Sequence, residues 1–200
     1  MKNNDKHLPE MIVIAGPNGS GKTSVTQQFL HHEWAEGTLY INPDEVAKDM
    51  FGDWNSVEAV MKAARYCADL RENCLRHCRS FIFETVMSAE DKVDFIIRAK
   101  RAGFFIRLFF ISTEHPSINA ARIANRVMKG GHDVPIAKII SRYYKSIENC
   151  HTVARIADRL YVYDNSVNGK DAKLLFRLVN GKVKKIYATT IPEWAKILLP

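Results

Sequence analysis

Five short apolar runs punctuate the chain, and each of the first four leads into a stretch with the 3.6-residue periodicity of a helix that buries one face. MIVIA at 11–15 is apolar without a break, as a strand covered on both faces must be, and passes through GPNGSGKTS into an amphipathic stretch ending near His32. TLYI at 38–41 predicts a second strand. The following NPDEVAKDMF predicts a helix from Pro43, because proline at a first helical position gives up no hydrogen bond. A long helical pattern over 56–79 precedes FIFE at 81–84, and a helix over 90–102, stopped by Gly103, precedes FFIRLFFIS at 104–112. Two helices fit 117–157 and a fifth strand fits RLYVY at 159–163. KLLFRLV and KVKKIYA then meet at Asn180-Gly181, a pair suited to the positive φ values of a primed hairpin turn. Together these predict an α/β, three-layer fold of the P-loop NTPase, nucleotide-kinase-like kind: a mostly parallel sheet with helices on both faces, active-site loops at the strand C-termini, and a C-terminal β-hairpin at about 172–188.

Composition narrows the setting. The 200 residues are 46% hydrophobic and 26% charged, with no repeat and no linker, which predicts a single domain over 1–200. No apolar run reaches the roughly 20 residues that cross a bilayer, and the polar start MKNNDKHLPE carries no apolar leader. The cytoplasm is the expected compartment, where four cysteines need not pair. Cys67, Cys74 and Cys78, spaced by seven and four, are expected on one helix face beside His77; a metal site would want CxxC-type pairs from a loop, so buried core thiols are the expectation. A net charge of +7 favours anionic partners without choosing among nucleic acid, nucleotides and phosphorylated metabolites. The basic residues of the hairpin, Lys170, Lys173, Arg177, Lys182, Lys184 and Lys185, are explained by protection of an edge strand, without nucleic acid.

The chemistry begins where the first strand ends. Gly16-Pro17-Asn18-Gly19-Ser20-Gly21-Lys22-Thr23 satisfies GxxxxGK[ST], which ordinary composition would produce in about one chain of this length in a hundred. Between a strand and a helix, such a loop wraps a β-phosphate in backbone amides while the helix N-terminus adds positive potential. Lys22 is suited to reach the β and γ phosphates and the Thr23 hydroxyl to ligate Mg2+. Residues 16–23 with Ser24 are the candidate ATP site, and Lys22 is also a catalytic candidate. The alternative is a glycine-rich turn after an edge strand.

A phosphate loop alone does not say whether the terminal phosphate goes to water or to a substrate. Asp44, just past the second strand, stands where a carboxylate could take the proton of an acceptor hydroxyl, or could equally stabilise the start of the next helix. Glu84, Thr85 and Ser88 offer a carboxylate and hydroxyls suited to a sugar or polyol, or form an ordinary strand-end loop. Arg122, Arg126, Lys129, Lys138, Arg142 and Lys145 surround a flexible Gly130-Gly131 joint and suggest a lid over about 117–149. Charged residues on helices usually solvate a face, so Arg126 and Arg142 alone are taken as candidates. His132 could serve as an acid, yet phosphoryl transfer needs little acid help and a role in shaping the loop suffices. Two classes follow: a small-molecule kinase, a nucleoside or antibiotic phosphotransferase among them, or a nucleotide-dependent binding module such as an RNA-associated ATPase.

In combination, GPNGSGKTS, INPD, FIFETVMS, ANRVMKGGHDVP with the following ISRYYKS, and YDNS resemble the zeta-toxin family of P-loop kinases over roughly residues 11–166, and in particular its small chromosomal members that carry GGHxVP, here at 130–135. The resemblance implies transfer of the ATP γ-phosphate, with Mg2+, to a sugar hydroxyl of a UDP-N-acetyl amino sugar. It implies Asp44 as base, Glu84 and Thr85 toward the substrate, Arg126 and Arg142 on the ATP phosphates, and the YDNS loop with Asn165 over the adenine; Asn42 and Ser88 complete the candidate substrate residues. An antitoxin protein is the implied partner. At 200 residues the chain is shorter than the plasmid-borne members, and TVMS matches their substrate loop only loosely, which leaves the acceptor open.

Overall fold

The computed structural model describes residues 8–30, 37–51, 56–131 and 133–200. The elements run β1 (Glu10–Ala15), α1 (Lys22–Leu30), β2 (Leu39–Ile41), α2 (Pro43–Phe51), α3 (Val57–Arg76), β3 (Phe81–Thr85), α4 (Glu90–Arg101), β4 (Phe105–Ser112), α5 (Pro116–Met128), α6 (Ile136–Ala154), β5 (Arg159–Asp164), β6 (Lys173–Val179), β7 (Lys182–Ile186) and α7 (Glu193–Lys196). His132 and the expected end of the first helix near His32 lie outside the described residues.

The strands form one sheet in the order β2-β3-β1-β4-β5-β6-β7. β2, β3, β1, β4 and β5 pair in parallel, with Val13 of β1 set between Phe83 and Leu108. β6 and β7 pair antiparallel, so the hairpin extends the same sheet and is not an appendage. Strand order reverses at β1, and the crevice at its C-terminal end is where such sheets bind ligands.

The unbroken apolar character of β1 follows from cover on both faces. Met11 and Val13 join a large core in which Phe81, Phe83, Leu108 and Phe110 meet residues of α3, α4, α6 and α7. Ile12 and Ile14 join a smaller one with Ile82, Phe109, Ile111 and Val25 of α1. Ile123, Val134 and Ile139 form a third cluster between α5 and the start of α6. The expected lid over 117–149 is therefore divided: Tyr143 and Ile147 of α6 belong to the large core, whereas α5 and the α5–α6 loop close on a small core of their own.

Local signals act as their chemistry requires. The Ser56 side chain accepts a 3.1 Å bond from the Ala59 amide and caps α3, and Asn180 and Gly181 take φ values of 50° and 71° in the hairpin turn. The lysines of β7 lie on the sheet edge with every residue of that strand exposed.

The expected cysteine face is corrected at one position. Cys67 and Cys74 are buried on α3, but the helix ends at Arg76, His77 caps it through Asn73, and Cys78 is exposed beyond the end with φ 51°. Residues 77–79 are not helical, so a spacing of four no longer selects one face. α7 was not expected, because its four residues are too few to show periodicity; it is positioned by buried Trp194, whose ring centroid lies 6.2 Å from that of Phe110. Among the described residues no helix is long and apolar enough to cross a membrane.

Candidate active site

The phosphate loop closes on backbone. The Gly16 amide donates to the Thr85 carbonyl at 3.3 Å, tying the loop to the end of β3, and the Ser20 amide donates to Pro17 at 3.3 Å. Gly19 and Gly21 occupy the left-handed region at φ 75° and 88°. A Cβ on Gly19 would lie 2.6 Å from the Asn119 carbonyl oxygen, and one on Gly21 would strike the Asn165 amide. These two glycines are thus required by conformation and by space.

Side chains distant in sequence clamp the loop from outside. Asn119, fully buried on α5, donates to the Asn18 carbonyl at 2.7 Å and accepts from the Thr113 hydroxyl. Asn165 donates its side-chain amide to the Ser20 carbonyl at 2.8 Å, while its own amide donates to Ser112 at 2.8 Å. The YDNS residue read for the adenine side therefore also braces the phosphate loop. Beside it lies a cavity of about 390 Å³ lined by Gly21, Ser24, Val25, Asn165, Val167 and Asn168 among others.

Lys22 folds back over its own loop, its ammonium donating to the Gly16 and Pro17 carbonyls at 2.9 and 3.1 Å. Burial pushes its pKa down, Glu84 and Asp44 oppose the shift, and Arg126 adds to it. The Ser20 hydroxyl is buried with no hydrogen-bond partner among the described residues, and a Cβ on nearby Gly16 would strike the Ile111 carbonyl oxygen.

Opposite the loop, Asn42 just past β2, the start of α2 and the end of β3 form the other wall of a cavity of about 420 Å³, whose lining includes Lys22, Thr23, Asn42, Asp44, Glu84 and Arg126. The ends of parallel strands bring together most of the residues singled out from sequence. Glu84 Oε1 accepts from the hydroxyls of Thr26 on α1 and Tyr40 on β2, the latter at 3.0 Å. Asn42 donates to the Tyr40 oxygen at 2.9 Å and accepts from the Asp44 amide at 2.9 Å. Asp44 lies both in the first turn of α2 and on the cavity wall. Glu45 beside it has its pKa raised by burial, then by Glu84. Thr85 lines the cavity, but its hydroxyl accepts from the Met87 amide at 2.9 Å and so shapes the turn after β3. Ser88 is not in the lining.

The basic residues separate. Arg126 lines the cavity, and so does Arg122, which the sequence reading passed over; Arg122 also donates to Asn168 at 2.9 Å and approaches the Gly19 carbonyl at 3.5 Å. Arg142 donates to the Asn18 side chain at 3.3 Å and touches the loop from outside the cavity. Lys129 joins Arg122 and Arg126 around a shallow basic cleft, whereas Lys138 and Lys145 are exposed and line none of these cavities. Gly131 does more than loosen the joint, since a Cβ there would lie 2.6 Å from Arg126 Cγ.

Tyr40, Thr26, Asn119 and Arg122 are the site residues that sequence reasoning missed. Asn119 carried a usable signal, a lone amide on the buried face of an amphipathic helix. The others read as ordinary strand or helix residues.

A GxxxxGK[ST] loop between the central parallel strand and the first helix of a mixed α/β sheet defines the P-loop NTPase class of fold. Within it, the chain belongs to the zeta toxin family, whose model matches residues 1–175. An uncharacterized protein of Haemophilus influenzae is 30% identical over 132 residues, 66% of this chain and 89% of that protein. In fold, the chain is similar to one in the AvrRxo1-ORF1:-ORF2 complex with ATP, with TM-score 0.66, 18% identity and 96% of this chain covered. It is also similar to one of the PezAT chromosomal toxin-antitoxin system of Streptococcus pneumoniae, with TM-score 0.62, 15% identity, and 98% of this chain and 82% of that one covered. The match spans 63% of the AvrRxo1 complex chain, so this protein corresponds to part of the length of that relative.

Proposed function

We propose that this protein is a kinase that transfers the γ-phosphate of Mg-ATP to a hydroxyl of a small molecule, with a UDP-N-acetyl amino sugar, the acceptor implied by its family, as the first to test. The observation that carries this reading is one cavity lined on one side by the phosphate loop, Lys22 and Arg126, and on the other by Asp44 and Glu84.

In this reading the loop amides bind the phosphates, and Lys22 exchanges the Gly16 and Pro17 carbonyls for phosphate oxygens. The glycine-limited cradle, closed to a Cβ at Gly19 and Gly21, fits a polyphosphate. Thr23, on the cavity wall, would hold Mg2+, which when bound neutralises phosphate charge. No group of three or more His, Cys, Asp or Glu among the described residues could hold a metal, which suits an ion that keeps waters and phosphate oxygens as most of its ligands. Asp44 accepts the acceptor proton as the new O–P bond forms and the bond to ADP breaks. Arg126, and Arg142 acting through Asn18, balance charge on the transferring group. Closure of α5 with the α5–α6 loop over a single kinase domain, a cytoplasmic setting and a protein antitoxin belong to the same proposal; the family and the PezAT likeness support the last.

The test is incubation of the purified protein with Mg-ATP and UDP-N-acetylglucosamine, and separately with a metabolite extract, followed by mass spectrometry. A species gaining one phosphate, absent for Asp44→Asn, is expected. ATP turnover that is equal without acceptor, or stimulated by nucleic acid with a steep salt dependence, would overturn the reading.

A further inference from the structure

We propose that Tyr40 is the positioning residue of this site: its hydroxyl ties Glu84 to Asn42, and through Asn42 to the backbone of Asp44, so that carboxylates from two strand ends move as one unit. The inference deepens the kinase reading and rests on it.

The connectivity has one consistent direction. The Asn42 amide donates to the Tyr40 oxygen at 2.9 Å, the Tyr40 hydroxyl donates to Glu84 Oε1 at 3.0 Å, and the Asp44 amide donates to Asn42 Oδ1 at 2.9 Å. Thr26 donates to the same Glu84 oxygen from α1. With Oε1 occupied twice, the other oxygen, Oε2, is the one with capacity for a ligand. The Thr26 bond fixes Glu84 relative to the helix that begins at Lys22, and the Tyr40 bond fixes it relative to the acceptor side.

Tyrosine suits this place for a physical reason. A chain of this kind needs a group that accepts one hydrogen bond and donates another, on a rigid stem long enough to cross from β2 to the adjacent β3. The ring of Tyr40 packs against the smaller core beside Ile82, which holds the stem. Burial first, and then the Glu84 carboxylate, push the phenol well above its ordinary range, so the donor keeps its proton wherever the protein is folded.

Tyr40→Phe keeps the ring and removes one oxygen, and two readouts follow. In hydrogen exchange read by mass spectrometry, the segment 42–45 should exchange about tenfold faster than in the wild type, with β1 unchanged. In transfer assays, kcat should fall roughly ten- to a hundredfold, the cost of misplacing a catalytic group by about an ångström, while KM for ATP stays within about twofold. The double variant Tyr40→Phe/Asp44→Asn should be less impaired than the two single losses multiplied, since part of the Tyr40 effect runs through Asp44 and the rest through Glu84. Thr26→Val frees the other bond on Glu84 and should slow turnover without loosening 42–45. Asn42→Ala cuts the same tie from its far side and serves if Tyr40→Phe folds poorly. Unchanged exchange at 42–45 would overturn the tether whatever the activity. Loosened exchange with unchanged kcat, or equal losses in ATP binding and turnover, would overturn the positioning role. A wild type that phosphorylates no acceptor defeats the kinase reading separately, and the exchange arm then decides the tether alone.

Discussion

On the phosphate side of the cavity, the ligand-facing groups are backbone atoms of a contiguous loop whose shape is set by Gly19 and Gly21 at positive φ, with Lys22 and Thr23 at its end. On the acceptor side they are side chains of Asn42 just past β2, Asp44 of α2 and Glu84 of β3, held by hydrogen bonds between residues as many as 58 positions apart. The first wall is a local backbone conformation and is intolerant of any added atom. The second is a side-chain network whose geometry depends on the sheet. The difference teaches that binding and transfer should be separable in this protein: damage to the loop removes both, whereas damage to the far wall should spare binding.

The largest expected effect tests that separation. Asp44→Asn keeps shape and removes basicity, so transfer should fall by about a hundredfold or more, the usual range for a general base, while the gain in Tm from Mg-ATP persists. Thermal melting and turnover measured on one preparation check this. Loss of both together would mean that Asp44 serves chiefly as a helix-start residue.

Arg126 comes next. Arg126→Ala should lower kcat by roughly ten- to a thousandfold with a smaller change in ATP affinity. Arg142 contacts only Asn18 at the loop, and Arg142→Ala should cost nearer tenfold. Steady-state kinetics that reverse this order would show that α6 supplies the charge at the transferring phosphate.

On the opposite wall, Mg-ATP at about a hundred times its Kd should stabilise the wild type by roughly 2.7 kcal/mol, and Lys22→Ala or Gly19→Ala should remove most of that gain. Differential scanning fluorimetry across an ATP titration measures it. A Gly19→Ala protein that retains the full shift would mean that the loop can move away from the Asn119 carbonyl.

The smallest effect is electrostatic. Lys22 has its folded-state pKa lowered by burial, so between that value and the ordinary 10.5 the unfolded chain binds more protons than the native one. This contribution makes the ligand-free protein more stable as pH rises through that window. Comparison with Lys22→Met isolates it, and bound Mg-ATP, whose phosphates stabilise the ammonium, should flatten it. A steeper dependence with nucleotide than without would contradict the arrangement.

The sequence by itself determined the parts of this protein in which neighbours along the chain are also the working neighbours. Residues 11–15 of β1 are apolar because both of their faces are covered, and the loop after it is shaped by its own consecutive residues, so strand, loop and helix are legible from residues 11–30 alone. The Asn180-Gly181 turn and the start of α2 at Pro43 were legible for the same reason, since each depends on φ values that those residues favour. Tertiary structure alone decided the rest. Tyr40 meets Glu84 only because β2 pairs with β3, and Glu84 meets Thr26 only because β3 lies beside β1, an order that no local pattern encodes. Asn119 reaches Asn18 across 101 positions, and Arg122 differs from the solvated charges around it only in where α5 settles against the loop. A hydrogen bond between side chains has a range of about 3 Å and takes no account of distance along the chain, so its partners are set by packing.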